Sequence, residues 1–134
     1  MEEAIINGWK GKSGIKIDNH NDDVILIREF RKHKETGKIY EQITRIRREW
    51  VRNLWAIMKK NCVVGQWYGY RFLVNKIIEF YGFDVDLEAW NGGKNRSKYF
   101  FKYHYYPLKY LESINYIHYS GRGGIIRLKE GELI

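Results

Sequence analysis

The residue types that most often carry catalysis are scattered in this sequence. The four histidines show no HExxH or comparable metal-ligand spacing, and they stand at His20, His33, His104 and His118. The carboxylates Asp84, Asp86 and Glu88 are close enough along the chain to bind a divalent cation, as nuclease carboxylates do. Adjacent acids in a loop are far more often solvent-exposed charge, so a nuclease is the weaker interpretation.

Motifs for phosphate binding and nucleophilic catalysis are also missing. No GxSxG sequence or complete P-loop occurs, and Gly92-Gly93-Lys94 lacks the upstream glycine and the following Ser or Thr of a phosphate loop. The single cysteine, Cys62, excludes an intramolecular disulfide and a CxxC zinc site. We therefore expect no enzymatic activity, no cofactor and no bound metal.

Positive charge, by contrast, is concentrated in the last third of the chain. Residues 94–129 contain eight Lys or Arg and one acid, Glu112, which leaves a formal charge of +7. The whole chain carries +8, a balance that favours a polyanionic partner, in practice nucleic acid. Residues 28–60 hold eleven basic and four acidic side chains. That earlier cluster mixes signs, which fits solvated ion pairing, although it could equally contact phosphates.

Residues 97–115 predict a helix with two different faces. At about 100° per residue, an apolar stripe of normal width forms from Phe100, Phe101, His104, Leu108 and Leu111. Nearly opposite it fall Lys98, Lys102, Tyr106 and Lys109. A helix that reads DNA needs this division, because its cations must meet phosphates while its back stays in the core. The alternative is a solvated basic face, but the acids that would form i,i+4 pairs are nearly absent.

Two further features mark the same helix. Tyrosines at positions 99, 103, 106 and 110 fringe the basic face, and exposed aromatic rings beside cations suit sugar or base contact. Pro107 removes one helical hydrogen bond and clashes with the preceding turn. The helix is therefore expected either to kink there or to divide into two helices, with Pro107 at the first position of the second.

Hydrophobic periodicity and turn residues predict the other elements. In chain order these are a short strand at 15–18, a β-hairpin at 24–43, helices at 45–60 and 66–81, a loop at 83–93 and, after the third helix, a second hairpin at 116–129. Gly37 is expected at positive φ in the first hairpin turn. Thr44 is expected to cap the first helix and Gly82 to end the second in a left-handed conformation.

Length and composition indicate the domain organisation and the cellular compartment. A chain of 134 residues suits one domain with an appendage, here a strand and hairpin extension at 1–44 and a main domain at 45–134. No segment approaches the roughly 18 apolar residues of a membrane span, and the acidic start is not that of a signal peptide. With one unpaired cysteine, this predicts a cytoplasmic protein in a reducing compartment, without a membrane partner.

The order helix, helix, helix, hairpin over about residues 45–129 resembles the winged helix-turn-helix superfamily. The run 108–117, followed by a glycine-rich basic tip, resembles the end of its recognition helix entering the wing. The resemblance implies an α+β fold of three helices and a C-terminal β-hairpin wing, with the N-terminal β-hairpin added. Asn115 stands where a glycine commonly follows this helix. Small winged helices of this kind are frequent in archaea and their viruses.

The resemblance also implies double-stranded DNA as the partner and a role in transcription regulation. In that family the third helix enters the major groove, and the wing contacts the backbone or the minor groove. Carried over by position, the helix residues are Lys94, Asn95, Arg96, Lys98, Lys102, Tyr106 and Lys109, and the wing residues are Arg122 and, more weakly, Arg127. Added elements make dimers in many such proteins, so a homodimer through the N-terminal hairpin is a further expectation. A protein-protein interaction module and an RNA-binding protein are the alternative interpretations.

Overall fold

The structure, a computed structural model, describes residues 15–84, 96–120 and 124–133 of the chain. Within these ranges the protein is α+β, with helices and two three-stranded antiparallel sheets. The chain clusters into two compact units, Met1–Arg48 and Glu49–Ile134. The predicted α+β class is confirmed, and each unit contains one of the two sheets.

The N-terminal unit is a sheet whose strands lie in the order β1-β2-β3. The strands are β1 (Ile15–Asn19), β2 (Val24–Lys32) and β3 (Ile39–Arg47). Between β2 and β3 the His33 N–H donates to the Lys38 carbonyl at 2.8 Å, and Gly37 has a φ of 69°. The predicted strand, hairpin and positive-φ glycine are therefore confirmed.

Strand β3 continues four residues beyond the predicted hairpin. Thr44 lies inside the ladder opposite Ile27, so the prediction that Thr44 caps the first helix is wrong. The physical reason is the length of β2. Because β2 begins at Val24, its first residues still need partners after residue 43, and Val24 itself lies opposite Arg47.

The two faces of this sheet differ in burial and charge. On one face Ile25, Ile27 and Ile46 are buried. The alternation of the strands places the cations of the opposite face at Lys16, Arg28, Lys32, Arg45 and Arg47. On that face the Arg28 guanidinium donates to the Asp18 carboxylate and, at 3.0 Å, to Glu41.

In the C-terminal unit, helix α1 (Arg48–Asn61) provides much of the core. Its buried side chains are Val51, Leu54, Trp55, Ile57 and Met58. The helix begins three residues later than predicted, because β3 occupies positions 45–47. Glu49 in the first turn and Lys59 and Lys60 in the last turn suit the helix dipole.

Helix α2 (Tyr70–Tyr81) follows a strand that the sequence did not predict. Strand β4 (Trp67–Gly69) occupies the first turn of the predicted helix, so the predicted start at residue 66 is wrong. At the other end Gly82 adopts a φ of 70°, and its N–H donates to the Ile78 carbonyl at 2.9 Å. The predicted left-handed stop is confirmed.

The third helix consists of two sections of different pitch. The first is π-helical, π1 (Arg96–Tyr105), and the second is α3 (Tyr106–Ser113). Pro107 lies in the first turn of α3, where a backbone N–H would have no helical partner. A proline ring also clashes with the carbonyl four residues earlier, and a wider preceding turn relieves this clash. Division into two sections is thus the outcome at Pro107.

A second sheet completes the C-terminal unit. Asn115 adopts a φ of 63° and leads into the hairpin strands β5 (Ile117–Tyr119) and β6 (Gly124–Arg127). The strand order is β4-β6-β5, so the strand between α1 and α2 pairs with the last strand. The predicted C-terminal hairpin is confirmed, and its tip at residues 121–123 lies outside the described residues.

Candidate nucleic-acid interface

The structure describes the side chains of four predicted contact residues, and of these four Lys102 is the one that is exposed. It lies on π1, and its Nζ is 5.0 Å from the ring centroid of Trp50 and 5.9 Å from that of Tyr103. These cation–π contacts support the alkyl stem while leaving the ammonium in water. A cation held in this way can meet a phosphate with a smaller loss of side-chain entropy than a freely rotating lysine.

Half-buried aromatic rings extend from Lys102 across the C-terminal unit. We call this group the aromatic cluster, and its members are Trp50, Tyr81, Phe83, Tyr99 and Tyr103. The Trp50 and Tyr103 centroids are 5.3 Å apart, and those of Phe83 and Tyr99 are 4.6 Å apart. Because these rings are only partly covered, they could contact a sugar or stack against a base beside the Lys102 ammonium.

The phenol of Tyr81 is part of a polar contact inside the aromatic cluster. Asn53 Nδ2 donates to Tyr81 Oη at 3.0 Å. Burial raises the pKa of the Tyr81 phenol, and the Asn53 hydrogen bond acts in the opposite direction. The ring therefore stays neutral near physiological pH and adds no negative charge to the surface around Lys102.

Lys109 is held against the protein rather than projecting from it. Its side chain is 15% exposed, and Nζ lies 3.5 Å from the Glu112 carboxylate. The same ammonium is 5.6 Å from the Tyr105 ring centroid and 5.1 Å from that of Tyr119. Lys109 therefore keeps a cation near the third helix, but it would have to leave these partners to reach a phosphate directly.

Tyr106 does not lie on the predicted cationic face. Its side chain is buried, with 6% exposed, so that prediction is wrong. The predicted face requires α-helical turns, whereas π1 closes each turn with an i→i+5 bond and so contains more residues per turn. Residues after position 105 are rotated relative to those before it, and Tyr106 turns inward. The predicted apolar positions His104, Leu108 and Leu111 are buried as expected.

Arg127 is a structural residue in the core of the unit. Its Nε donates to the Lys129 carbonyl at 2.9 Å, and its Nη1 donates to the Cys62 carbonyl at 3.0 Å. The guanidinium carbon lies 5.3 Å from the Trp55 ring centroid. The prediction that Arg127 is an accessible wing contact is wrong, because these partners hold it where only 9% of the residue is exposed.

The remaining predicted residues lie at the limits of the described chain. Lys94, Asn95 and Arg122 are outside the described residues. For Arg96 and Lys98 the structure gives the backbone, which belongs to π1, and not the side chains. Within the described ranges, no group of three His, Cys, Asp or Glu side chains could hold a metal ion.

His104 is a buried polar residue. Neither of its ring nitrogens has a hydrogen-bond partner among the residues that the structure describes, and the side chain is fully buried. Its neighbours are aromatic: the ring centroids of Phe100 and Tyr70 lie 4.7 Å and 6.3 Å away. Burial lowers the pKa of His104 from the usual 6.5 to about 3, so the residue is neutral and packs as part of the core.

Sequence reasoning missed two other surface features. Trp67 is 54% exposed on β4, and its ring lies at 5.8 Å from the exposed His118 ring. Between α1 and α2 there is also an open groove of about 400 Å³, lined by Ala56, Ile57, Lys60, Asn61, Lys76, Glu79 and Phe80. The period-two alternation of β5 already indicated that His118 faces outward, but no local pattern indicated the groove.

Comparison of the chain with known proteins found no match. No family model, curated protein or solved structure matches it. In the part of the chain that the structure describes, every helix is too short or too polar to cross a membrane. The function must therefore be inferred from the geometry and charge of the chain itself.

Proposed function

We propose that this chain is a double-stranded DNA-binding protein of the winged-helix type that acts in transcription regulation. In this proposal the third helix enters the major groove and the C-terminal hairpin lies along the backbone. The affinity comes mainly from contacts between cations and phosphates.

The order and pairing of the elements in the C-terminal unit support the winged-helix part of the proposal. Helices α1 and α2 precede the third helix, and the hairpin β5-β6 follows it directly. Pairing of β4 with β6 ties that hairpin to the segment between the first two helices. A hairpin tied to the helices by this pairing has the position that a wing requires.

The exposed Lys102 beside the aromatic cluster is the observation that carries the nucleic-acid part of the proposal. Arg96 and Lys98 precede it on π1, and no acidic residue occurs between positions 89 and 111. This section of the third helix therefore presents positive charge without the intrahelical partners that usually neutralise it. Tyr106 and Arg127 are removed from the proposed contacts because they are buried.

The test compares Lys102→Ala with Lys60→Ala for binding to a random-sequence DNA duplex over a range of salt concentrations. Lys60 is also an exposed lysine of the same unit, but it lies in the groove between α1 and α2. Lys102→Ala should reduce the slope of log K against log salt by about 1, since one phosphate contact is lost. Lys60→Ala should leave that slope unchanged. Equal slopes for the two variants would contradict the assigned surface.

Single-stranded nucleic acid, including RNA, is the second candidate. The half-exposed rings of the aromatic cluster favour it, because unpaired bases offer faces on which such rings can stack. In that case Tyr99→Leu should weaken binding to a single strand several-fold and change duplex binding little. Anisotropy measurements with a single strand and a duplex of the same sequence would distinguish the two ligands.

A further inference from the structure

Strand β3 is an edge strand within the described part of the chain. It pairs with β2 on one side, and β2 is the central strand of its sheet. Residues 40–43 are all exposed, so both faces of the strand are open over this stretch. Tyr40 and Ile43 are large side chains that are 46% and 50% exposed. A long edge with exposed apolar residues is a template for pairing with another strand.

The hydrogen bonds at the two ends of the hairpin show which residues of β3 direct their backbone N–H and C=O groups away from β2. At one end the His33 N–H donates to the Lys38 carbonyl, and at the other the Arg48 N–H donates to the Asp23 carbonyl, both at 2.8 Å. Hydrogen-bonded and non-hydrogen-bonded pairs alternate along an antiparallel ladder. Even-numbered residues of β3 therefore bond to β2. The odd-numbered residues direct their N–H and C=O groups to the outer edge, at positions 39, 41, 43, 45 and 47.

Charge and apolar contact together favour one register for pairing between two copies of this edge. A symmetric antiparallel pair can be centred on an outward-directed residue or on the residue between two of them, so the candidates run from Glu41 to Arg45. Centring on Gln42 would place Glu41 opposite Ile43 and leave it without a cation, and centring on Thr44 would place the Arg45 guanidinium opposite Ile43. Centring on Glu41 would oppose two carboxylates, and centring on Arg45 would oppose two guanidinium groups. Centring on Ile43 places each Glu41 opposite Arg45 of the second copy, and it uses the whole strand.

We propose that β3 pairs antiparallel with β3 of a second copy about a two-fold axis at Ile43, which joins two three-stranded sheets into one of six strands. All five outward-directed residues would then find backbone partners. The two Ile43 side chains would cover each other, flanked on both sides by an ion pair. Within each copy, Arg28 Nη1 lies 3.0 Å from Glu41 Oε1. This ion pair keeps the Glu41 carboxylate on the face of the sheet where Arg45 of the second copy would lie.

Cysteine cross-linking of the full chain without nucleic acid tests the register. In a hydrogen-bonded pair the two α-carbons at position 43 would be about 5.5 Å apart, within the range of a disulfide. Ile43→Cys should therefore form a covalent dimer under mild oxidation. Tyr40→Cys is the matched control, since it is similarly exposed but would lie about 20 Å from its copy. The native Cys62 is buried, and burial raises the pKa of its thiol to about 11, so the wild-type chain should not cross-link.

Charge reversal tests the ion pairs independently. Arg45→Glu would oppose like charges twice across the axis and should weaken self-association in sedimentation velocity about tenfold. Arg47→Glu makes the same charge change on the same face but lies opposite Ile39 of the second copy, so it should change self-association less than about twofold. The proposal would be overturned if cysteines at positions 40 and 43 cross-linked equally, or if the two charge reversals had equal effects. It would also be overturned by a wild-type chain that stays monomeric at all concentrations. Because no nucleic acid is present, these outcomes do not depend on the proposed function.

Discussion

The burial of His104 predicts a loss of stability when the protein is acidified. The unfolded chain binds a proton at this residue near pH 6.5, whereas the folded protein resists protonation down to about pH 3. Between these values the unfolded state holds more protons, so the free energy of unfolding falls as the pH falls below about 6.5. Because one pKa unit corresponds to about 1.36 kcal/mol, the free energy of unfolding should fall by about 2 kcal/mol between about pH 7.5 and about pH 5.

The variant His104→Leu isolates this contribution from that of the carboxylates. Leucine removes two ring nitrogens that have no hydrogen-bond partner within the described part of the chain, so it should stabilise the fold by about 1–3 kcal/mol at neutral pH. The difference in the free energy of unfolding between variant and wild type should then grow by a further ~2 kcal/mol as the pH falls to about 5. The measurement is urea unfolding followed by circular dichroism at several pH values.

The exposed His20 provides the control for this experiment. His20→Leu removes a histidine from a solvated loop and should leave the pH dependence of the wild type in place. If the stability difference between His104→Leu and wild type stayed constant across this pH range, His104 could not be the group that resists protonation. The burial-based reasoning would then be refuted.

Two further predictions concern the C-terminal sheet. A Cβ at Gly124 would lie 2.5 Å from the Trp67 ring, so Gly124→Ala should cost about 1–3 kcal/mol in thermal unfolding, and adding Trp67→Ala should remove most of that cost. A penalty that persists in the double variant would point to the backbone instead. Arg127→Met should cost about 2–4 kcal/mol, because two carbonyls lose a charged donor. A variant that melts like the wild type would show that the guanidinium is not held in the core.

Elements with strong local signals were predictable from the sequence. The N-terminal hairpin combines period-two alternation with a turn that needs Gly37 at positive φ, and both appear in the structure. The end of α2 follows from Gly82 for the same reason. These features depend on conformational preferences of single residues and their neighbours, so no distant contact is needed to specify them.

Features that depend on distant partners were not predictable in the same way. Strand β4 has only three residues and exists because β6 pairs with it, more than fifty positions later in the chain. The accessibility of Arg127 depends on two carbonyls brought to it by folding, at Cys62 and Lys129. A usable signal was present, however. Arg127 stands two residues after the buried Ile125 on one strand, and this alternation alone indicates an inward direction.

The predicted face of the third helix failed for a geometric reason. The prediction requires a uniform turn across residues 97–115, but the first ten residues of the helix are π-helical and the remainder α-helical. The apolar stripe was nevertheless predicted well, since a wide stripe tolerates a change in pitch. The cationic face was narrower, and one of its members, Tyr106, became buried while Lys102 stayed exposed.

The central claim is tested most directly by measuring the affinity of the wild-type chain for a random-sequence DNA duplex at rising salt concentration. A DNA single strand of the same sequence and an RNA strand are measured beside it. The proposal predicts duplex binding that weakens steeply with salt, with a log–log slope that reports several phosphate contacts. A preference for the single strands would favour the second candidate. No binding to any nucleic acid at low salt would contradict the account, because Lys102 and its neighbours would then be solvated surface.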